Sequence, residues 1–169
     1  MEPLAHASMA FIAKPLIPEA PLWALVAATQ VPDLLSFAFF AAGIEHGAET
    51  QVDFTHGLQY LSQPLIPWSH GLVMCCLWSL LAGGIAYLIS HNRRVSIAIG
   101  LMVISHWLLD FIVYPNQPLL FSSTPAIGLG LITSPAGLIA GILLEIGLIA
   151  GGGSTYVIYR KRGALQARI

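Results

Sequence analysis

Residues 95–114 read VSIAIGLMVISHWLLDFIVY, an apolar run that ends just after a histidine and an aspartate. About 20 helical residues cross the hydrocarbon core of a bilayer, and lipid offers the backbone no partner other than the helix itself. The run nevertheless contains His106 and Asp110. It therefore predicts a transmembrane helix with ionisable side chains inside the membrane.

Three other runs have similar length and composition, and we expect an all-α integral membrane protein with about four transmembrane helices. The chain has 169 residues, of which 56% are hydrophobic and 9% charged, against about 25% charged in soluble domains. A net charge of −1 without a basic stripe argues against nucleic acid as a partner. The whole chain, 1–169, is predicted to be a single transmembrane domain. The predicted spans are residues 22–44, 70–90, 95–114 and 135–159.

A shorter apolar segment, residues 4–17, is too short to span and runs into a series of prolines. We expect it to form a short buried or re-entrant helix packed on the bundle.

The distribution of charge predicts the orientation. With four spans, all seven basic residues fall on one side, which is expected to be the cytoplasm together with the C-terminus. Glu45, Glu49 and Asp53 fall in a loop on the other side. The expected location is a bacterial or archaeal cell membrane.

The last span is rich in glycine. It contains two pairs of glycines with three residues between the members of each pair: Gly137 with Gly141, and Gly147 with Gly151. This spacing of small residues is typical of close helix contact. The pattern is compatible with packing inside one molecule and with a homodimer through this face.

Three carboxylates, Asp33, Asp110 and Glu145, lie inside predicted spans. Each charged group near the bilayer centre costs about 3 kcal/mol, so that the three together cost roughly 8–10 kcal/mol. They are expected to face the interior, where other polar groups or a cation offset this cost. His106 and Asp110, four residues apart, share one helix face and could bind the same zinc ion, or form a structural dyad.

Other residues of ligand type are His6, Asp33 and His70. Asp33 follows Pro32, which loosens the helix and frees a nearby carbonyl. We expect His70, His106 and Asp110 to hold a divalent metal, with zinc favoured, and His6 or Asp33 to complete the shell.

Several short motifs follow one another along the chain. They are His6, Pro32-Asp33, Pro67-Trp68-Ser69-His70, Ser105-His106-Trp107-Leu108-Leu109-Asp110, Gly128-Leu129-Gly130-Leu131 and Glu145. This ordered set resembles the LexA-regulated inner-membrane family described as metal-dependent hydrolases, and its small uncharacterised membrane relatives. That family is distantly similar to zinc-dependent phospholipase C and the zinc nucleases. The resemblance implies a metal site and hydrolysis of a phosphoester or another lipid-borne ester.

The chain departs from this pattern at two places. Leu35 stands where many relatives carry a second aspartate, and residues 114–117 read YPNQ where some have a histidine and an aspartate. The smaller ligand set favours a single metal, or none.

The leading hypothesis is a metal-dependent hydrolase of membrane lipid or a lipid-borne substrate, acting at the extracytoplasmic side. The metal would activate water, and Asp33 or Glu145 would be the general base. The alternatives are a transporter or proton relay, and a structural or regulatory subunit whose polar groups form a closed network.

Overall fold

The computed structural model is mostly helical and describes residues 3–47, 50–53, 55–60, 66–122 and 125–166. The helices within these residues are α1 (Pro3–Ala13), α2 (Leu22–Thr29), α3 (Val31–Ala41), α4 (Pro67–His70), α5 (Leu72–Ser90), α6 (Arg93–Val113) and α7 (Pro135–Gln166). Two short antiparallel pairs connect them, β1 (Thr50–Asp53) with β2 (Gly57–Tyr60), and β3 (Gln117–Pro118) with β4 (Ala126–Ile127). A single 3₁₀ turn, Leu131–Thr133, precedes α7.

Three helices of the described chain, α5, α6 and α7, are long and apolar enough to cross a membrane. This result indicates a helical membrane protein. Helices α2 and α3 pass the same test only as a pair, which is bent by 50° at the break between them. The number of spans is therefore three, or up to four if the bent pair is one span.

The expected continuous helix over residues 22–44 is replaced by α2 and α3, which ends at Ala41. The break at Gln30 lies two residues before Pro32, which sits in the first turn of α3. Proline has no N–H to continue the helical ladder, and its ring collides with the carbonyl four residues earlier. The chain therefore starts a new helix in a different direction.

Helix α6 is the central element of the bundle. Most of it is buried, whereas α5 and α7 are largely exposed. Its N-terminal half packs on α1 and α2 through a core that includes Leu25, Ile99, Met102 and Val103. Polar side chains on the buried faces of α6 are therefore held inside the protein.

Helices α5 and α6 approach closely through two reciprocal hydrogen bonds. Ser79 Oγ donates to the Gly100 carbonyl at 2.7 Å, and Ser96 Oγ donates to the Gly83 carbonyl at 2.8 Å. A Cβ added at either glycine would lie 3.1 Å from the opposite serine carbonyl. Small residues and interhelical hydrogen bonds are the usual means of packing helices in a membrane.

The glycine pairs of α7 divide into two groups. Gly137 and Gly141 pack against the Leu131–Thr133 turn of the same chain. A Cβ added at Gly147 or Gly151 would meet no described atom within 4 Å. Packing within the molecule thus accounts for the first pair only, and a homodimer through the second pair stays a prediction.

Helix α1 is too short to span and lies buried against α2, α6 and α7. It approaches the backbone of α7 closely at Gly152, where an added Cβ would lie 2.7 Å from the Ser8 carbonyl oxygen. The expected buried N-terminal helix is therefore present. Its position is set by backbone contact.

Candidate functional site

The site is built on the C-terminal part of α6. His106 and Asp110 lie one turn apart on a buried face, and His106 Nε2 is 3.3 Å from Asp110 Oδ2. Asp110 lies three residues before Val113, where α6 ends, a rise of about 4–5 Å. The pair is therefore close to one end of the central helix.

Helix α1 contributes His6 to this pair. His6 Nε2 is 3.4 Å from Asp110 Oδ1, and its ring stacks on that of His106 with 3.7 Å between centroids and 7° between planes. The Gln30 side chain donates to the Pro3 carbonyl at 3.1 Å and so ties the first turn of α1 to the α2–α3 break. Stacked imidazolium ions would repel, so this arrangement suits neutral imidazoles, which are the metal-binding form.

Helices α3 and α4 contribute Asp33 and His70. Asp33 Oδ1 is 3.4 Å from His70 Nε2 and 3.5 Å from His106 Nε2. His70 Nε2 is also 3.8 Å from Asp110 Oδ2. The structure therefore brings together all five residues predicted as metal ligands, which come from four helices.

The backbone selects the tautomer of His106. Its Nδ1 lies 2.7 Å from the Thr29 carbonyl, which can only accept, so Nδ1 carries a proton, and in the neutral ring Nε2 keeps its lone pair. In a continuous helix the N–H of Asp33 would take that carbonyl, but the break ends α2 at Thr29. The break between α2 and α3 thus leaves the Thr29 carbonyl free to orient a metal-ligand candidate.

His70 is oriented by a different group, Glu45. The Ser69 hydroxyl lies 2.8 Å from His70 Nδ1 and donates to Glu45 Oε2 at 2.6 Å. Glu45 Oε1 accepts from the backbone N–H groups of Trp68 and Ser69, both at 2.8 Å.

Glu45 lies in the predicted loop after α3, but it is buried there. It is 2% exposed, because the chain after α3 folds back over the start of α4. Nothing in the spacing of the loop carboxylates distinguishes it from Glu49 or Asp53.

The distances in the cluster match those between ligands of one metal ion. Zinc–nitrogen and zinc–oxygen bonds of about 2.0–2.1 Å place tetrahedral ligands about 3.3–3.4 Å apart. The nitrogen–oxygen separations here run from 3.3 to 3.8 Å. Hydrogen bonds between charged groups are shorter, at about 2.7–2.9 Å. The contacts also fall within the range of ion pairs between histidine and aspartate.

His106 Nε2 is buried and makes no hydrogen bond with the described residues. The nearest carboxylate oxygens, of Asp110 and Asp33, lie 3.3 and 3.5 Å from this nitrogen. Among the described residues, two groups of three have ligand atoms that all lie within 4.8 Å of one another. The first group is His6, His106 and Asp110, and the second is Asp33, His70 and His106, so that His106 belongs to both. One nitrogen lone pair binds one ion, so the overlap favours a single metal over two.

The charge of the cluster also favours a cation. With its three imidazoles in the neutral, metal-binding form, the cluster would carry a charge of −2 from the carboxylates of Asp33 and Asp110. A divalent ion among them would bring this charge to zero, which lowers the cost of placing the carboxylates inside a membrane protein.

The cluster is accessible from one side. The Asp33 side chain is 30% exposed, whereas those of the other four are 10% exposed or less. Large apolar side chains near Asp33 are exposed. Leu34 and Phe37 lie on α3 with Asp33, and Trp68 lies on α4, which packs against α3. A ligand would therefore reach the cluster past Asp33 and an apolar rim.

Glu145 lies half-buried on α7, outside both groups of ligand atoms found among the described residues. Its role as general base stays a prediction.

Comparisons of the chain with protein-family models, with curated proteins and with solved structures gave no match.

Proposed function

We propose that the protein is a metal-dependent membrane hydrolase that cleaves a phosphoester or another ester of a lipid-borne substrate. The observation that supports this best is the buried His106 Nε2, without a hydrogen bond to the described residues and surrounded by two carboxylates at tetrahedral ligand spacing. A polar nitrogen in such a place costs free energy unless it binds something.

The residues divide into two roles by burial. His6, His70, His106 and Asp110 are the more buried and would hold the ion, most plausibly zinc given its imidazole-rich ligands. Asp33 lies at the accessible side and would accept the proton of the attacking water. A divalent ion bound here would polarise the ester and activate water for attack. Because Glu145 is outside the cluster, Asp33 is the better candidate for the base.

A lipid-borne substrate is supported by the surroundings of Asp33. The exposed Leu34 and Phe37 on the same helix would contact acyl chains, and Trp68 would lie at the interface. Asp110 is 17 residues from Arg93 at the other end of α6, about 25 Å. If the basic end is cytoplasmic, the accessible side of the site faces the extracytoplasmic interface.

A cation carrier is the second candidate, and the bent α2–α3 pair favours it. Broken helices whose freed carbonyls line a site in the bundle are typical of transporters. Here the free Thr29 carbonyl accepts a hydrogen bond from His106 and is not available to coordinate a cation. This arrangement favours a metal held in place by fixed ligands over a cation that passes through the site.

Metal analysis of protein purified without chelator tests the proposal. We expect about one equivalent of a divalent metal, lost in His106→Ala and in the milder His70→Asn. His91→Asn is the matched control, since His91 is exposed and its left-handed φ of 49° tolerates asparagine. Less than about a tenth of an equivalent, unchanged by His106→Ala, would refute the metal site.

Hydrolysis is tested with phospholipids in mixed micelles. Asp33→Asn should keep the metal and lose turnover by about 10²–10⁴-fold, the usual contribution of a general base. Cation flux in proteoliposomes without cleavage of any lipid would favour the carrier.

A further inference from the structure

We infer that Glu45 is a positioning residue of this centre, which fixes the tautomer and direction of the His70 ring through Ser69. The inference rests on the proposed function in so far as His70 is a metal ligand. Glu45 lies four residues after the end of α3 and is buried beside α4. A carboxylate in such a place needs hydrogen bonds to offset its desolvation, and Glu45 accepts three from described residues.

The hydrogen bonds around Glu45 can run in one direction only. Backbone N–H groups always donate, so Glu45 Oε1 is the acceptor for Trp68 and Ser69. The single proton of the Ser69 hydroxyl points to Glu45 Oε2 at 2.6 Å. The hydroxyl is then left with lone pairs for its other neighbour.

That neighbour is His70 Nδ1, at 2.8 Å from Ser69 Oγ. A hydroxyl oxygen that offers only lone pairs requires a proton on Nδ1, and a neutral imidazole with that proton has a lone pair on Nε2. His70 Nε2 is the atom that faces Asp33 and Asp110. The negative charge on Glu45 therefore determines which ring nitrogen is available to the centre.

Glu45 has a second task that the test must separate from the first. Helix α4 is four residues long, and its first N–H groups have no partner in the helix. Glu45 satisfies two of them and so holds α4 in place. Replacement by a residue without an oxygen would remove both tasks together.

Glu45→Gln separates them. The amide oxygen can still accept from Trp68 and Ser69, but the amide nitrogen would face Ser69 Oγ as a donor. The hydroxyl proton, which has lost its acceptor at residue 45, is then expected to turn towards His70 Nδ1, which moves the ring proton to Nε2. The hydrogen bonds that hold α4 are therefore kept, whereas the hydrogen bond between Ser69 and His70 runs in the opposite direction.

The experiment combines histidine ¹⁵N NMR with metal binding in the full-length protein. In the metal-free wild type we expect the His70 proton on Nδ1, assigned by its loss in His70→Asn, and on Nε2 in Glu45→Gln. The affinity for Zn²⁺ or Co²⁺ should fall about 10–100-fold in Glu45→Gln, as for other groups that orient metal-bound histidines. The Co²⁺ absorption spectrum should change with it. The control is Glu19→Gln. Glu19 is an exposed glutamate between α1 and α2 that pairs with Arg94 at the start of α6, and its replacement should change neither the His70 tautomer nor the metal affinity.

A double-mutant cycle checks that Glu45 acts through His70. In a His70→Ala background Glu45→Gln should cost no further affinity, whereas a general packing defect would cost the same in both backgrounds. An unchanged His70 tautomer in Glu45→Gln, or a wild-type proton on Nε2, overturns the inference. A wild type that binds no metal but shows the expected tautomers refutes the hydrolase and leaves Glu45 as the residue that orients His70.

Discussion

The contact between α1 and α7 offers a sharp test of how the site is held together. In Gly152→Ala the new Cβ would lie 2.7 Å from the Ser8 carbonyl oxygen and 3.0 Å from Ser8 Cβ. An ordinary contact begins at 3.4 Å, so the helices must separate by up to about 0.7 Å. His6 lies two residues before Ser8 on the same short helix and should move with it.

Such a displacement is large compared with the tolerance of a metal site. Ligand distances are held to about ±0.2 Å, so a shift of several tenths of an ångström would remove His6 from the shell. We expect the Zn²⁺ affinity of Gly152→Ala to approach that of His6→Ala. We also expect Gly152→Ala to add little when His6 is already alanine, because the two changes act through the same ligand.

The neighbouring Gly153 provides a matched control. An alanine at Gly153 would meet no described atom within 4 Å, and in a helix interior alanine is favoured over glycine by about 1 kcal/mol. Gly153→Ala should keep the wild-type affinity and melt at or above the wild-type temperature, whereas Gly152→Ala should melt lower. Wild-type metal binding in Gly152→Ala would refute the argument that α1 is positioned by this contact.

Three further predictions concern the bundle and the centre. Gly100→Ala should lower the melting temperature because the new methyl group pushes α5 away from α6. Gly84→Ala should not lower it, because a Cβ at Gly84 would meet no described atom within 4 Å. Pro32→Ala should straighten the α2–α3 break, so that the Thr29 carbonyl bonds to the Asp33 N–H and no longer orients His106. Metal affinity measured by titration should then fall, and an unchanged affinity would contradict this role of the carbonyl. Metal at 100 times its Kd should stabilise the wild type by about 2.7 kcal/mol and Asp110→Asn much less, as measured by thermal melts with and without EDTA; equal stabilisation would exclude Asp110 as a ligand.

The cost of ionisable groups in hydrocarbon made part of the site visible in the sequence. Asp33, His106 and Asp110 stand out because each lies in a long apolar run, and the structure places them together. The same criterion selected Glu145, which lies elsewhere. The membrane penalty indicates that a buried carboxylate needs a partner, but it does not indicate which one.

The parts that the sequence did not reveal depend on contacts between distant segments. Glu45 follows the end of α3 in a polar stretch, where a carboxylate carries no membrane penalty and draws no attention. The bend of 50° between α2 and α3 follows from Pro32, but its size is set by packing on α6. Gly152 was missed because its neighbours in α7 are also glycines, and only the position of α1 distinguishes it.

The stacking of His6 on His106 also dictates when the centre can form during synthesis. His6 is made first, whereas the residues that its helix contacts in α6 and around Gly152 of α7 are made later. The 146 residues from His6 to Gly152 take roughly 7–30 s at about 5–20 residues per second. We expect α1 to reach its final position, and His6 to join the other ligands, only after this segment of α7 has been made.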